Sequence, residues 1–236
     1  MTFKPEIVLD ALQNHKKKLI EVGVGGGKTL NSLLGAATFS LGENKKVVFA
    51  IAERLEQNQN FKKDLLELKK NFEAHNLKIV SIEERKNYIS LQRLELFKKK
   101  NKYLDHEVTF LIKITIWLEK TTAGDLNELS LMGKEFSLLD EICCNEYACP
   151  HENDEFQTGC FFLKIQKKAC AANLIIVSQK LMINDAAEKK RVLPEYSCLI
   201  IDEAEDLEKA ARESLTTTFS LNSFQRPFES LKNILI

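Results

Sequence analysis

The sequence carries no net charge: 34 basic residues are matched by 34 acidic ones, and the sequence pI lies near 6.9. No global positive field can therefore steer a nucleic acid to this chain, and any such contact has to come from a local patch. No apolar run reaches the roughly 18 residues of a membrane span, and the N-terminus, MTFKPEIVLD, lacks a signal-peptide pattern. The sequence reads as cytoplasmic, with no membrane partner. Six cysteines without a secretory signal then favour metal binding or burial over disulfides. There is no internal repeat and no low-complexity tract. What is present is 236 residues, 44% of them hydrophobic, enough for one substantial core and a small second one.

Charge becomes informative when mapped along the chain. Residues 85 to 103 hold seven basic side chains against Glu95, interleaved with Tyr88, Phe97 and Tyr103; residues 125 to 155 hold nine acidic side chains against Lys134. Solvated helix faces and, for the basic segment, nucleic-acid contact both fit this pattern. Five short apolar, mostly β-branched runs stand out at 18–22, 46–52, 78–82, 173–177 and 198–202. Such runs suit a parallel sheet covered on both faces. A helical pattern over 53–73, with Phe61, Leu65, Leu68 and Phe72 on one face, completes the strand, helix, strand grammar of an α/β fold. The alternation breaks between Ile82 and Asn173, which marks an insertion. Within it VTFLIKITIWL (108–118) fits both a strand and a helix.

Directly after the first expected strand comes EVGVGGGKT, residues 21 to 29, followed by the expected helix TLNSLLGAATFS. In that setting Gly23, Gly25, Gly26 and Gly27 let backbone N–H groups close around phosphate oxygens at a helix N-terminus. Lys28 reaches the β and γ phosphates, and the Thr29 hydroxyl ligates Mg2+. The loop departs from the usual pattern at Val22, where a small residue is expected. A second carboxylate box, LIIDEAEDLE (199–208), ends an apolar strand. Asp202 there would hold the magnesium of a bound ATP, and Glu203 would orient or deprotonate the attacking water.

Together EVGVGGGKT, VVFAIAERLEQNQ, CFFLKIQKKACAANLIIVSQKLMI, TTAGDLNEL and LIIDEAEDLE resemble the first motor domain of the DinG and XPD type of superfamily 2 iron-sulfur DNA helicases. The resemblance implies a RecA-like P-loop NTPase sheet over 1–84 and 171–208, and a mainly helical iron-sulfur-type insertion over 85–170. It also implies the start of an arch-like insertion over 209–236, and a helical VTFLIKITIWL. A second RecA-like domain with its arginine finger is expected to lie outside the chain. The implied activity is an ATP-driven motor moving 5′ to 3′ on single-stranded DNA.

The resemblance also implies a [4Fe-4S] cluster on one early and three late cysteines. The late three fall on Cys144, Cys149 and Cys160, whereas Ser90 stands at the early position, after Asn87-Tyr88. Four thiolates are the usual set. Ser90 or Cys143 as fourth ligand, zinc on Cys143 or Cys144 with Cys149, His151 and Cys160, and no metal at all remain open. Cys170 and Cys198 read as core thiols, and His15, His75 and His106 as surface residues. Glu205 stands where the family has the histidine of DEAH, Ser178-Gln179 where it commonly has Asn-His, and Gly26 where it has threonine. A non-catalytic nucleotide- or DNA-binding module, and a small-molecule kinase, are the competing readings.

Overall fold

The computed structural model describes residues 3–23, 26–52, 59–145, 159–187 and 192–216. Four parallel strands, β1 (Val47–Ile51), β2 (Ile79–Ser81), β3 (Leu174–Ser178) and β4 (Cys198–Ile201), form one sheet in the order β2-β3-β1-β4. Every residue of β1 and β3 is buried, as expected of central strands covered on both faces. On one face α1 (Pro5–Gln13), α2 (Lys28–Glu43) and α3 (Gln59–Asn71) supply a core around Leu33, Phe39, Phe49, Phe61 and Leu68. The Phe49 and Phe61 rings lie 5.9 Å apart. The close approach of α1 to α2 depends on Gly35, where a Cβ would stand 2.7 Å from the Pro5 carbonyl oxygen. On the other face α8 (Gln179–Ala187), together with residues of α7 (Phe161–Cys170), packs Leu181, Met182 and Ala169 on Val48, Ala50, Ile175 and Val177. This is the expected α/β, RecA-like sheet, except at one end.

The run 18–22 forms no strand, contrary to the expectation. Ile20 and Val22 pack on the core, but Leu19 is 90% exposed and the neighbouring lysines are solvated. Two of its three apolar residues are thus anchored, without ladder hydrogen bonds. Strand β4 is left as the edge of the described sheet, and its Leu199 is 38% exposed.

Between β2 and β3 the chain builds a second core. Helices α4 (Leu91–Phe97), α5 (Asp105–Leu118) and α6 (Leu139–Ile142) enclose Ile89, Leu94, Phe97, Phe110, Ile114, Leu126, Leu138, Ile142 and Cys143. VTFLIKITIWL is therefore helical. It buries Phe110 and Ile114, while Val108, Ile112 and Ile116, which the helical spacing also aligned, face solvent. Two isolated antiparallel bridges, Tyr88 with Asp125 and Ile89 with Cys143, tie the insertion together. Gly124, at φ 66°, leaves room for the Phe161 ring, which would collide with any Cβ there. Helix α9 (Leu207–Leu215) follows the second carboxylate box and packs on α8.

Candidate functional site

The glycine loop and the second carboxylate box meet at the C-terminal edge of the sheet. Gly27 caps α2 in the left-handed region (φ 65°), so the chain can reverse before Lys28 and Thr29 open the first turn. The Gly26 N–H donates to the Gly23 carbonyl at 3.1 Å, closing the described part of the loop; Gly25 lies outside the described residues. The Thr29 hydroxyl donates to Asp202 Oδ2 at 2.7 Å, across 173 residues of sequence. Asp202 continues the sheet ladder, its N–H donating to the Ala50 carbonyl at 2.9 Å, and its other oxygen accepts the Glu203 N–H at 3.1 Å. A hydroxyl and a carboxylate that share a hydrogen bond at the start of a helix are donors of the type that hold a hard divalent cation. The first turn of α2 adds free N–H groups and the positive end of its dipole.

Two departures in the loop explain each other. A Cβ on residue 26 would stand 2.6 Å from Val22 Cγ1. The branched side chain at 22 thus occupies the space that a side chain at 26 would need, and glycine at 26 is what allows valine at 22.

The charge balance of the site is acidic. Lys28 Nζ stands 3.7 Å from Glu205 Oε1, an exposed pair. Burial, and then the negative charge of Asp202, hold the Glu203 carboxyl above the ordinary carboxylate range, against the opposing pull of Lys28. Asp64 on α3 is likewise raised, first by burial, then by Glu67 and Asp202. The raised Glu203 is a better proton acceptor than a solvated glutamate, which is the property asked of a base. Glu205, for its part, competes for the cation that a phosphate would use. An exposed pair is worth at most about 1 kcal/mol and is screened by salt, so Glu205→Gln is expected to strengthen ATP binding about three- to fivefold at low ionic strength, with the gain shrinking as salt is added. Equal affinity of both proteins at low salt would show that the pair does not compete.

The cysteines separate by face. Tyr88–Ser90 runs antiparallel to Ile142–Cys144, with the Ser90 N–H donating to the Ile142 carbonyl at 2.8 Å and the Cys144 N–H to the Tyr88 carbonyl at 2.7 Å. Alternation along these strands puts Ile89 and Cys143 on one face and Tyr88, Ser90 and Cys144 on the other. Cys143 accordingly sits in the insertion core, where Arg93 donates to its carbonyl at 2.5 Å and to its sulfur at 3.5 Å. Burial pushes its thiol pKa up, more strongly than Arg93 lowers it. Cys144 is fully buried in a small cluster with Tyr88 and Phe162, against which Cys160 also packs. Ser90 caps α4, its oxygen accepting the Arg93 N–H at 3.3 Å. Cys149 and His151 lie outside the described residues. Among the described residues no group of three or more histidine, cysteine or acidic side chains is arranged to hold a metal. Cys170 is exposed rather than a core thiol, and Cys198 is half-buried on the edge strand.

The aromatics of the basic segment turn inward, while Lys86, Lys98, Lys99 and Lys102 stay exposed. Tyr88 and Phe97 are buried, and the Tyr103 hydroxyl donates to the Phe97 carbonyl at 3.2 Å. Arg93 also binds the Asp140 carbonyl at 2.6 Å, and Lys100 binds Glu107 and Glu141 at 3.0 and 2.9 Å. These rings are core rather than stacking platforms, which neither the solvated-face nor the nucleic-acid reading of this segment anticipated. Sequence reasoning also missed Gln179, whose side-chain amide touches the backbone of the carboxylate box. The only signal was a departure from the usual Asn-His.

No protein-family profile matches the chain. It is 30% identical over 210 residues to the 3'-5' exonuclease DinG of Bacillus subtilis, covering 88% of the chain and 22% of that protein. It is 29% identical over 210 residues to the ATP-dependent DNA helicase YoaA of Haemophilus influenzae, covering 86% of the chain and 32% of that protein. Against the 3'-5' exonuclease DinG of Staphylococcus aureus it is 28% identical over 229 residues, 93% of the chain and 24% of that protein. The chain thus spans between about a fifth and a third of the length of these curated relatives. No helix among the described residues is long and apolar enough to cross a membrane.

Proposed function

We propose, from the premise that this chain belongs with the DinG and YoaA helicases over most of its length, that it is the ATP- and DNA-binding N-terminal motor part of a DinG-like helicase. The observation that carries this reading is the Thr29–Asp202 hydrogen bond, which joins the two halves of a magnesium-nucleotide site across 173 residues. Gly23, Gly25, Gly26, Gly27 and Lys28 take the phosphates of ATP, and Thr29 and Asp202 take Mg2+. Glu203 and Glu205 lie near Lys28, and Asp64 and Glu203 both feel the charge of Asp202, so a nucleotide arriving without a cation meets an unfavourable field. A magnesium ion held by Thr29 and Asp202 would supply the compensating charge. Glu203 would orient or deprotonate the water that attacks the terminal phosphate.

The motor acts on single-stranded DNA in the 5′ to 3′ direction. The inserted core over 85–170 is the iron-sulfur-type domain. Cys144, Cys149 and Cys160 supply three ligands of a [4Fe-4S] cluster, and Ser90 is favoured over Cys143 for the fourth because it shares the face of Cys144. The exonuclease activity named in two relatives stays with those proteins, more than three quarters of whose length lies outside the match.

One observation favours the second reading, a module that binds nucleotide without efficient turnover. Glu205 stands in place of the DEAH histidine and holds Lys28. The test is ATP hydrolysis with and without single-stranded DNA, in the wild type and in Lys28→Ala. Hydrolysis stimulated by DNA and lost with Lys28 supports the motor. ATP binding that needs Lys28, with turnover indifferent to DNA, supports the module.

A further inference from the structure

Gln179 is the first residue of α8, directly after β3, and its side chain is fully buried. Its Nε2 donates to the backbone carbonyls of both Asp202 (2.8 Å) and Glu203 (3.0 Å). Because β1 lies between β3 and β4, this amide bridges the two flanking strands over the end of the central one. Glu203 adopts φ 53° and ψ 50°, the left-handed conformation that costs a side-chain-bearing residue about 1–2 kcal/mol. Two carbonyls converging on one amide nitrogen are what hold it there. The buried Oε1 of Gln179 has no hydrogen-bond partner among the described residues, so the hydrogen bonds described for this amide are those to the two carbonyls. Glutamine meets this geometry because a single NH2 group carries two hydrogens; one imidazole N–H serves only one acceptor.

We propose that Gln179 is a positioning residue of the nucleotide site. By fixing the Asp202 and Glu203 carbonyls it holds the turn from which the Asp202 carboxylate reaches Thr29, and so makes the magnesium dependence of ATP binding depend on the β3–α8 junction. This rests on the reading of the site as a magnesium-nucleotide site. It assigns no contact between Gln179 and the nucleotide.

The test is calorimetric titration of ATP in Mg2+ and in EDTA for the wild type, Gln179→Glu, Gln179→His and Lys28→Ala, with thermal melting of each protein. Gln179→Glu keeps the shape and removes both donors when ionised, and one of the two when protonated. Its ATP affinity in Mg2+ is expected to fall about tenfold or more, the usual cost of losing a residue that orients metal ligands, with its affinity in EDTA unchanged. Gln179→His, which keeps one donor, is expected to fall between the two, and it carries the test if Gln179→Glu melts before binding can be read. A wild-type ratio of the two affinities in either folded variant, or equal losses in Mg2+ and EDTA, overturns the inference while leaving the nucleotide reading intact. If the wild type gains nothing from Mg2+ and Lys28→Ala changes nothing, it is the nucleotide reading that fails.

Discussion

Lys28→Ala is expected to lower ATP affinity by about 10- to 100-fold, the worth of a hydrogen bond to a charged group. Hydrolysis should fall by about 10²- to 10³-fold, as for other preorganised charges aimed at a transition state. The residue stands at the first turn of α2, beside the Thr29–Asp202 pair, and its present partner is the exposed Glu205 at 3.7 Å. That partner is weak enough to be displaced by phosphate, which offers more charge and several acceptor oxygens. Removing the ammonium leaves the loop amides and the helix dipole, so some binding persists while turnover does not. Calorimetry and phosphate release read the two losses separately, and the loss in turnover is expected to exceed the loss in binding. A change of less than about threefold in both, well below the range for a charged hydrogen bond, would mean that Lys28 does not meet phosphate.

Phe162→Ala is expected to destabilise the fold by about 3–5 kcal/mol, the range for truncating a buried aromatic residue. The Phe162 ring is fully buried, lies 5.6 Å from the Tyr88 ring, and has the Arg85 guanidinium 4.7 Å above it. It joins α7, which leads into β3, to the strand pair that carries Cys144. The cavity would therefore open between the insertion and the sheet, on the cysteine face. Chemical denaturation measures the loss, with Phe136→Ala as the comparison. Phe136 is 58% exposed, and its truncation should stay within about 0.5 kcal/mol. A stability loss below about 1 kcal/mol would contradict the packing described.

Much of this site was legible in the sequence because its parts are local. A glycine loop between an apolar run and a helix, and an apolar strand ending in Asp-Glu, each declare themselves within ten residues. Strands β1 and β3 were legible for the same reason, since full burial on both faces demands an uninterrupted run. The run at 18–22 misled because apolar content reports burial and not ladder partners; Ile20 and Val22 are anchored without any. Residues 108 to 118 left strand and helix both open on pattern alone, and the helix that the resemblance implied is what forms. Isoleucine, valine and phenylalanine stand on both sides of α5, so composition could not tell the buried Phe110 and Ile114 from the exposed Ile112 and Ile116. Long-range polar contacts leave still less trace. Nothing near Gln179 in sequence announces two carbonyls 23 and 24 residues away. Val22 and Gly26 looked like two separate defects until their shared volume was seen. Cys143 and Cys144 are adjacent in sequence and opposite in space, a distinction made by the antiparallel pairing with Tyr88–Ser90.

The central claim, that Thr29 and Asp202 hold one magnesium ion for ATP, is tested most directly by a double-mutant cycle on ATP affinity in Mg2+ with Thr29→Val and Asp202→Asn. Two ligands of the same ion, themselves in contact at 2.7 Å, act as a unit. Each single variant is expected to lose most of the benefit of Mg2+, and the double variant to bind no worse than the weaker single. The coupling should be about 1–3 kcal/mol, the range for groups in direct contact. Losses that simply add, or singles that keep the full magnesium response, would contradict the account.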